Sequence, residues 1–177
     1  MTATQFWEKT RAEALPGGVE KTGFMSLILD AVQAVDWPGK GKPLALLSGE
    51  ELASDLLMSV VVYCYATGVY ASPEIEQRCT HDPEARRLCA GRAPDWKSIR
   101  QFRKTHRQAL KQCLAHICEQ ALRIRFGDGE SEPPLADYYV ALALDRWFEP
   151  LCVPSPPDEA ENRVGKASFI DGMSSVD

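Results

Sequence analysis

The stretch from Pro94 to Gly127 constrains the fold most, because two kinds of residue repeat along it at helical spacing on two different faces. Ile99, Phe102, His106, Leu110, Cys113, Ile117 and Ala121 recur at steps of three and four, which lines one side of a helix with groups that turn toward a core. Lys97, Arg100, Lys104, Arg107 and Lys111 recur at the same steps on another side. A helix built this way packs by one seam and keeps a basic edge, the arrangement expected of an element that follows a phosphate backbone. Pro94-Asp95 opens it, with Asp95 as N-cap and Ser98 three residues on, and the spacing predicts one continuous helix to about Arg125, stopped by Gly127 and Gly129.

Other segments carry their own start and stop signals. Ser48-Gly49-Glu50-Glu51 has the form of a capping box, predicting a helix from there to Thr67 and Gly68. Leu56, Leu57, Val60, Val61 and Cys64 share it with Met58, Val62 and Ala66 on other faces, so it is apolar almost all round and should be the most buried element. Ser72-Pro73 and Asp82-Pro83 each pair a capping residue with a first-turn proline, predicting two short helices, the second ended by Gly91. Upstream, a short helix is expected over Thr4–Leu15, and another capped by Thr22 with Phe24, Leu27, Ile28, Ala31, Val32 and Val35 as its stripe, ended by Trp37-Pro38-Gly39. A last helix is expected from Leu135 to Phe148, and the tail from Pro150, with Pro154, Pro156 and Pro157, is expected to be loose. There is no internal repeat and no period-two strand.

The fold class is therefore all-α: a single helical domain of about six helices with a helix-turn-helix-like central segment, in which the two short helices support the long one. The expected divisions are an N-terminal helical extension over 1–47, a helical core over 48–126, a helix packing on that core over 127–150, and a flexible tail over 151–177.

Charge narrows the function. The 177 residues carry a net charge of -5, which excludes a general polycation. Its distribution is uneven, since Pro73–Arg125 holds 12 Lys and Arg against 6 Asp and Glu, leaving 8 basic and 19 acidic residues to the rest. A basic middle between acidic flanks fits a local anion-binding surface. The six cysteines form no C-x-x-C pair and fall in apolar or helical patterns, as reduced thiols of a cytoplasmic protein do. The first ten residues include Glu8 and Lys9 and look unlike a signal peptide, and the apolar run Leu56–Ala66 is 11 residues long against the roughly 20 a spanning helix needs. No membrane partner is expected.

Three segments in order carry a family resemblance. Tyr63-Cys64-Tyr65-Ala66-Thr67-Gly68-Val69-Tyr70-Ala71-Ser72-Pro73-Glu74-Ile75-Glu76-Gln77-Arg78-Cys79, then Leu88-Cys89-Ala90-Gly91, then Pro94-Asp95-Trp96-Lys97-Ser98-Ile99-Arg100-Gln101-Phe102-Arg103-Lys104-Thr105-His106 resemble the N-terminal domain of InsH-type insertion-sequence transposases, over Leu56–Leu122. The resemblance implies a helical domain that binds double-stranded DNA at element ends, placed ahead of an RNase H-like domain with three catalytic carboxylates. Asp171-Gly172 is faintly similar to the first-carboxylate motif of such a domain, but two-metal phosphoryl chemistry needs several converging carboxylates, and six residues follow it. No enzyme activity is expected, and the chain would act as a remnant, a competitor at element ends or a domesticated regulator. It departs from the family where Ser72-Pro73 replaces Ser-Arg, losing a cation and a backbone donor, and at Cys64, where glycine or alanine is usual.

The expected DNA-binding residues are Lys97, Arg100, Gln101, Arg103, Lys104, Arg107 and Lys111, joined by Arg78 on the first short helix. Gln101 and Arg103 have side chains able to read base edges bidentately. Arg103 lies between the basic edge and the apolar seam, so an internal pair with Glu74 or Glu76 is an equal reading. His106 reads as a core histidine, and Tyr63, Tyr65 and Tyr70 as packing residues. Cys79, His81 and Cys89 lack the spacing of a zinc site. No cofactor and no small-molecule substrate are expected. The alternative to DNA binding is a protein-interaction module, working with a protein partner or as a homodimer, which the acidic flanks favour.

Overall fold

The computed structural model describes residues 19–126, 144–146, 148–152 and 155–173. In chain order these form α1 (Val19–Ala34), a ribbon of β1 (Pro43–Ala45) and β2 (Glu51–Ala53), then α2 (Ser54–Ala66), α3 (Ser72–His81), α4 (Pro83–Leu88), α5 (Trp96–Thr105), α6 (Arg107–Phe126) and α7 (Pro156–Met173). The all-α class holds, with one short antiparallel ribbon added. The helix expected over residues 4–15 and most of the one over 135–148 lie outside the described residues; of the latter, 144–146 are helical, and Leu144 and Phe148 are buried.

α2 is the centre. Every one of its residues is buried, and it packs against α1, α3, α4, α5 and α6. Each fully buried Leu or Val contributes on the order of 1.5–3 kcal/mol, so a helix apolar on all sides is held from all sides. Its polar members are satisfied locally, with the Ser59 hydroxyl donating to the Asp55 carbonyl at 2.7 Å and the Asp55 carboxylate accepting from the Gly41 amide at 2.7 Å.

Three local expectations are corrected. The Ser48–Glu51 segment does not start a helix. Leu44 pairs with Leu52 across the ribbon, the Leu46 amide donates to the Glu50 carbonyl at 2.8 Å, and Gly49 turns the chain at φ 89°. The ribbon sends both Leu46 and Leu52 into the core, and the helix begins only at Ser54, after Ala53 in extended conformation. Thr22 lies inside α1 rather than capping it. Ser72 is the first residue of α3, with Ala71 as N-cap, and its hydroxyl donates elsewhere, to Asp171 at 3.0 Å. Asp82 and Asp95 do cap, accepting from the amides of Glu84 at 2.9 Å and Ser98 at 2.8 Å.

The long helix is two helices. The backbone leaves helical geometry at His106, with φ -110° and ψ 27°, where the imidazole lies 4.9 Å from the Trp37 ring and 4.5 Å from Phe102. Breaking there lets α5 pack against α3 while α6 faces α1 and α7. Burial holds the His106 imidazole below its ordinary pKa.

The tail is the largest correction, because residues 156–173 form a helix that packs along α6. Its buried face is Ala160, Val164 and Ala167, together with three charged residues, Glu159, Arg163 and Asp171. Arg163, 2% exposed, donates from Nε to Glu159 at 2.8 Å, from Nη1 to the Tyr65 carbonyl at 3.0 Å and from Nη2 to the Glu149 carbonyl at 2.6 Å. Tyr65 lies in the last turn of α2, so this guanidinium adds a charged donor to a carbonyl that otherwise accepts from the Gly68 amide at 3.4 Å, at the end where the helix dipole favours a cation. Gly68 then turns away at φ 83°, with the Glu149 side chain 3.3 Å from where a Cβ would stand.

Five of the six cysteines are buried, on α2 (Cys64), α3 (Cys79), after α4 (Cys89) and on α6 (Cys113, Cys118), and all are free thiols. Burial pushes Cys64 and Cys113 up to about 12 and Cys118 up to about 11.

Candidate nucleic-acid interface

α5 is fixed at its start by a small hydrogen-bond cluster. Asp95 accepts from both the amide and the hydroxyl of Ser98, the latter at 2.6 Å, and the Ser98 hydroxyl accepts from the Leu47 amide at 2.8 Å, tying the ribbon tip to the cap. Burial pushes the Asp95 carboxyl upward, but the bonds from Ser98 outweigh it and hold the group below the usual carboxylate range. Ile99 and Phe102 bury the inner face of α5. Its outer face carries Lys97, Gln101 and Lys104, all exposed, with the Lys97 ammonium 5.5 Å from the partly exposed Trp96 ring. Among the described residues no carboxylate pairs with Lys97 or Lys104. Arg100 is half-buried beside them.

The other expected contacts are engaged within the fold. Arg103 is 6% exposed, and its guanidinium donates to the Tyr70 carbonyl, the Ala167 carbonyl and the Asp171 carboxylate. Its guanidinium is thus engaged inside the fold, and its acid is Asp171 on α7 rather than Glu74 or Glu76. Asp171 also accepts from the Ser72 amide at 3.2 Å, so one carboxylate joins the first turn of α3 to α5. Arg107 donates to the Ser168 hydroxyl at 2.8 Å and lies 3.4 Å from Glu161, and Lys111 forms an ion pair with the same Glu161. The Lys111 ammonium in turn holds the Glu161 carboxyl below its ordinary value. Arg78 pairs with Asp82 at 2.9 Å, and the Tyr63 hydroxyl donates to that aspartate at 3.0 Å.

The residues that decide this surface and were not singled out for it are Glu161, Ser168 and Asp171. They come from a segment expected to be loose. The available signal was Ser155-Pro156-Pro157-Asp158-Glu159, a helix start, followed by Ala160, Val164 and Ala167 at helical spacing.

Among the described residues there is no group of three or more His, Cys, Asp or Glu able to hold a metal ion, and no helix long and apolar enough to cross a membrane. No protein-family model, curated protein or solved structure matches the chain.

Proposed function

We propose that this protein binds double-stranded DNA through the outer face of α5, as a domain of the transposase end-recognition kind. The observation that carries the reading is the set of Lys97, Gln101 and Lys104, exposed together on one face of a helix that follows α3 and α4. The two ammonium groups offer roughly two phosphate contacts, which corresponds to a log-log salt slope of about -2. Gln101, between the two lysines, has the amide that matches adenine in a major groove. The resemblance of the Tyr63–His106 motifs to InsH-type transposases supports element ends as the target. The reading gives the protein no cutting chemistry, and its role is to occupy such ends as a remnant, competitor or regulator.

Fluorescence anisotropy with a labelled duplex at about 50 and about 200 mM salt tests it, comparing wild type with Lys97→Glu/Lys104→Glu. Salt-sensitive binding abolished by the double change is the expected result. Absence of binding at the lower salt would leave a protein-interaction module as the better reading. One observation favours that second reading: Phe169 and Met173, one turn apart on α7, are 68% and 65% exposed. Analytical ultracentrifugation of the same sample distinguishes a homodimer from a monomer.

A further inference from the structure

Cys79 on α3 and Cys89, the residue after α4, are hydrogen-bonded to each other through their side chains. They are 2% and 0% exposed, where α3 and α4 pack together. We propose that this pair is a redox-reactive dithiol, which a peroxide closes to a Cys79–Cys89 disulfide.

The backbone at Cys89 is built for access. Among the described residues Ala90, at φ 53°, is the one non-glycine with positive φ, and Gly91 follows at φ 77°. Their amides donate back to the Arg87 and Arg86 carbonyls at 3.1 and 2.8 Å, so α4 ends in a tight left-handed turn directly beyond the sulfur-bearing residue. A residue with a Cβ is strained in that region and stays there only because its surroundings hold it. Ala90 and Gly91 are both exposed. Cys89 therefore lies one residue beneath the surface, under a turn that relieves strain when it opens, and local opening of this kind is how a buried thiol meets a solute.

The two sulfurs are unequal. The bond from Cys79 holds the Cys89 thiol below its ordinary pKa against the effect of burial, helped by the backbone amides of Cys89 and Gly91 and by the charge of Arg86. The same bond, joined by burial, pushes Cys79 upward. While protonated, the Cys89 thiol donates to the Ala85 carbonyl at 3.1 Å, and opening of the turn frees it from that acceptor. Cys89 thus supplies the thiolate, the form that attacks. Its sulfur takes one oxygen of the peroxide, the O–O bond breaks, hydroxide leaves, and Cys89 becomes a sulfenic acid. The neighbouring Cys79 sulfur then attacks the Cys89 sulfur, the S–O bond breaks, and the hydroxyl leaves with the Cys79 proton as water. The peroxide gains the two electrons that the two thiols lose. Cys64, a third buried sulfur whose pKa burial pushes up to about 12, stays a thiol.

Peptide mass spectrometry tests this on the native protein, treated with hydrogen peroxide and then unfolded and blocked with iodoacetamide. A link between the Cys79 and Cys89 peptides, reversed by dithiothreitol, is expected, with Cys64, Cys113 and Cys118 recovered as alkylated thiols. In C79A the second thiol is gone, so dimedone should trap the Cys89 sulfenic acid at least about tenfold more than in wild type. The proposal is overturned if Cys79 and Cys89 remain thiols while the exposed Cys152 is oxidised, if Cys89 links to Cys64 instead, or if C79A gives no more dimedone adduct than wild type. Should C79A fail to fold, the wild-type peptide map decides alone. None of these outcomes depends on whether the protein binds DNA.

Discussion

The two halves of the basic row began alike and ended differently. Lys97 and Lys104 on α5, and Arg107 and Lys111 on α6, continue the same spacing through the same stretch of sequence. The α5 pair stays in water, while the α6 pair lies beside α7, where Glu161 meets both of its cations. Periodicity places a charge on a face, but only the element packed across that face decides whether the charge is available. Exposed pairs such as Arg107–Glu161 add little to stability, so their effect is on the surface potential more than on the fold.

The comparison breaks most completely if α7 is removed from its seat. Arg163→Ala would take from buried Glu159 its ion pair with Arg163 and from the Tyr65 carbonyl its charged donor, a loss of roughly 3–5 kcal/mol that urea denaturation would register as a lowered midpoint. A midpoint within about 1 kcal/mol of wild type would show that α7 is not held by this residue.

Neutralising each half separately sharpens the contrast. Lys97→Gln/Lys104→Gln should lower duplex affinity at least about tenfold at low salt, and Arg107→Gln/Lys111→Gln less than about threefold. Equal losses by anisotropy would mean that Glu161 does not shield its partners. The converse change, Glu161→Gln, should raise affinity about two- to fivefold and steepen the salt slope, because two cations regain their counterions in the free protein. An unchanged slope would count against this assignment.

The smallest effect lies at the joint. His106 has a folded pKa below its unfolded value near 6.5, so as pH falls through that value the unfolded chain takes up a proton that the folded chain refuses. Stability is therefore full above the unfolded pKa and declines as pH drops toward the folded one. Melting temperatures between about pH 7.5 and about pH 5.5 should show this fall, and His106→Gln should flatten it.

Much of the helical framework was legible because its signals are local. Asp82 and Asp95 announce their helices through side chains that bond amides two or three residues away, and the all-apolar α2 can only be central. The misreadings arose where the deciding partner is distant. Ser48–Glu51 satisfies a capping pattern, yet the pairing of Leu44 with Leu52 and the burial of Leu46 select a ribbon. α7 looked like a solvated tail because its charged residues suggest exposure, whereas Arg163 finds Tyr65 and Asp171 finds Ser72, each across nearly a hundred residues. The same distance hid the fate of Arg103. A guanidinium on a helix edge looks alike in sequence whether it meets a nucleic acid or a carboxylate from the chain's other end.

The distribution of thiols gives the molecule a built-in clock. Sulfhydryl reagents attack the thiolate, and five of the six sulfurs are both shut away and, for Cys64, Cys113 and Cys118, reluctant to ionise. Cys152 should be alkylated at once under native conditions, and each of the others at the rate at which its own helix exposes it. Labelling time courses read by peptide mass would then rank α2, α3 and α6 by how often they breathe. Slow modification at Cys64 beside faster modification at Cys118 would locate the looser side of the domain without a single substitution.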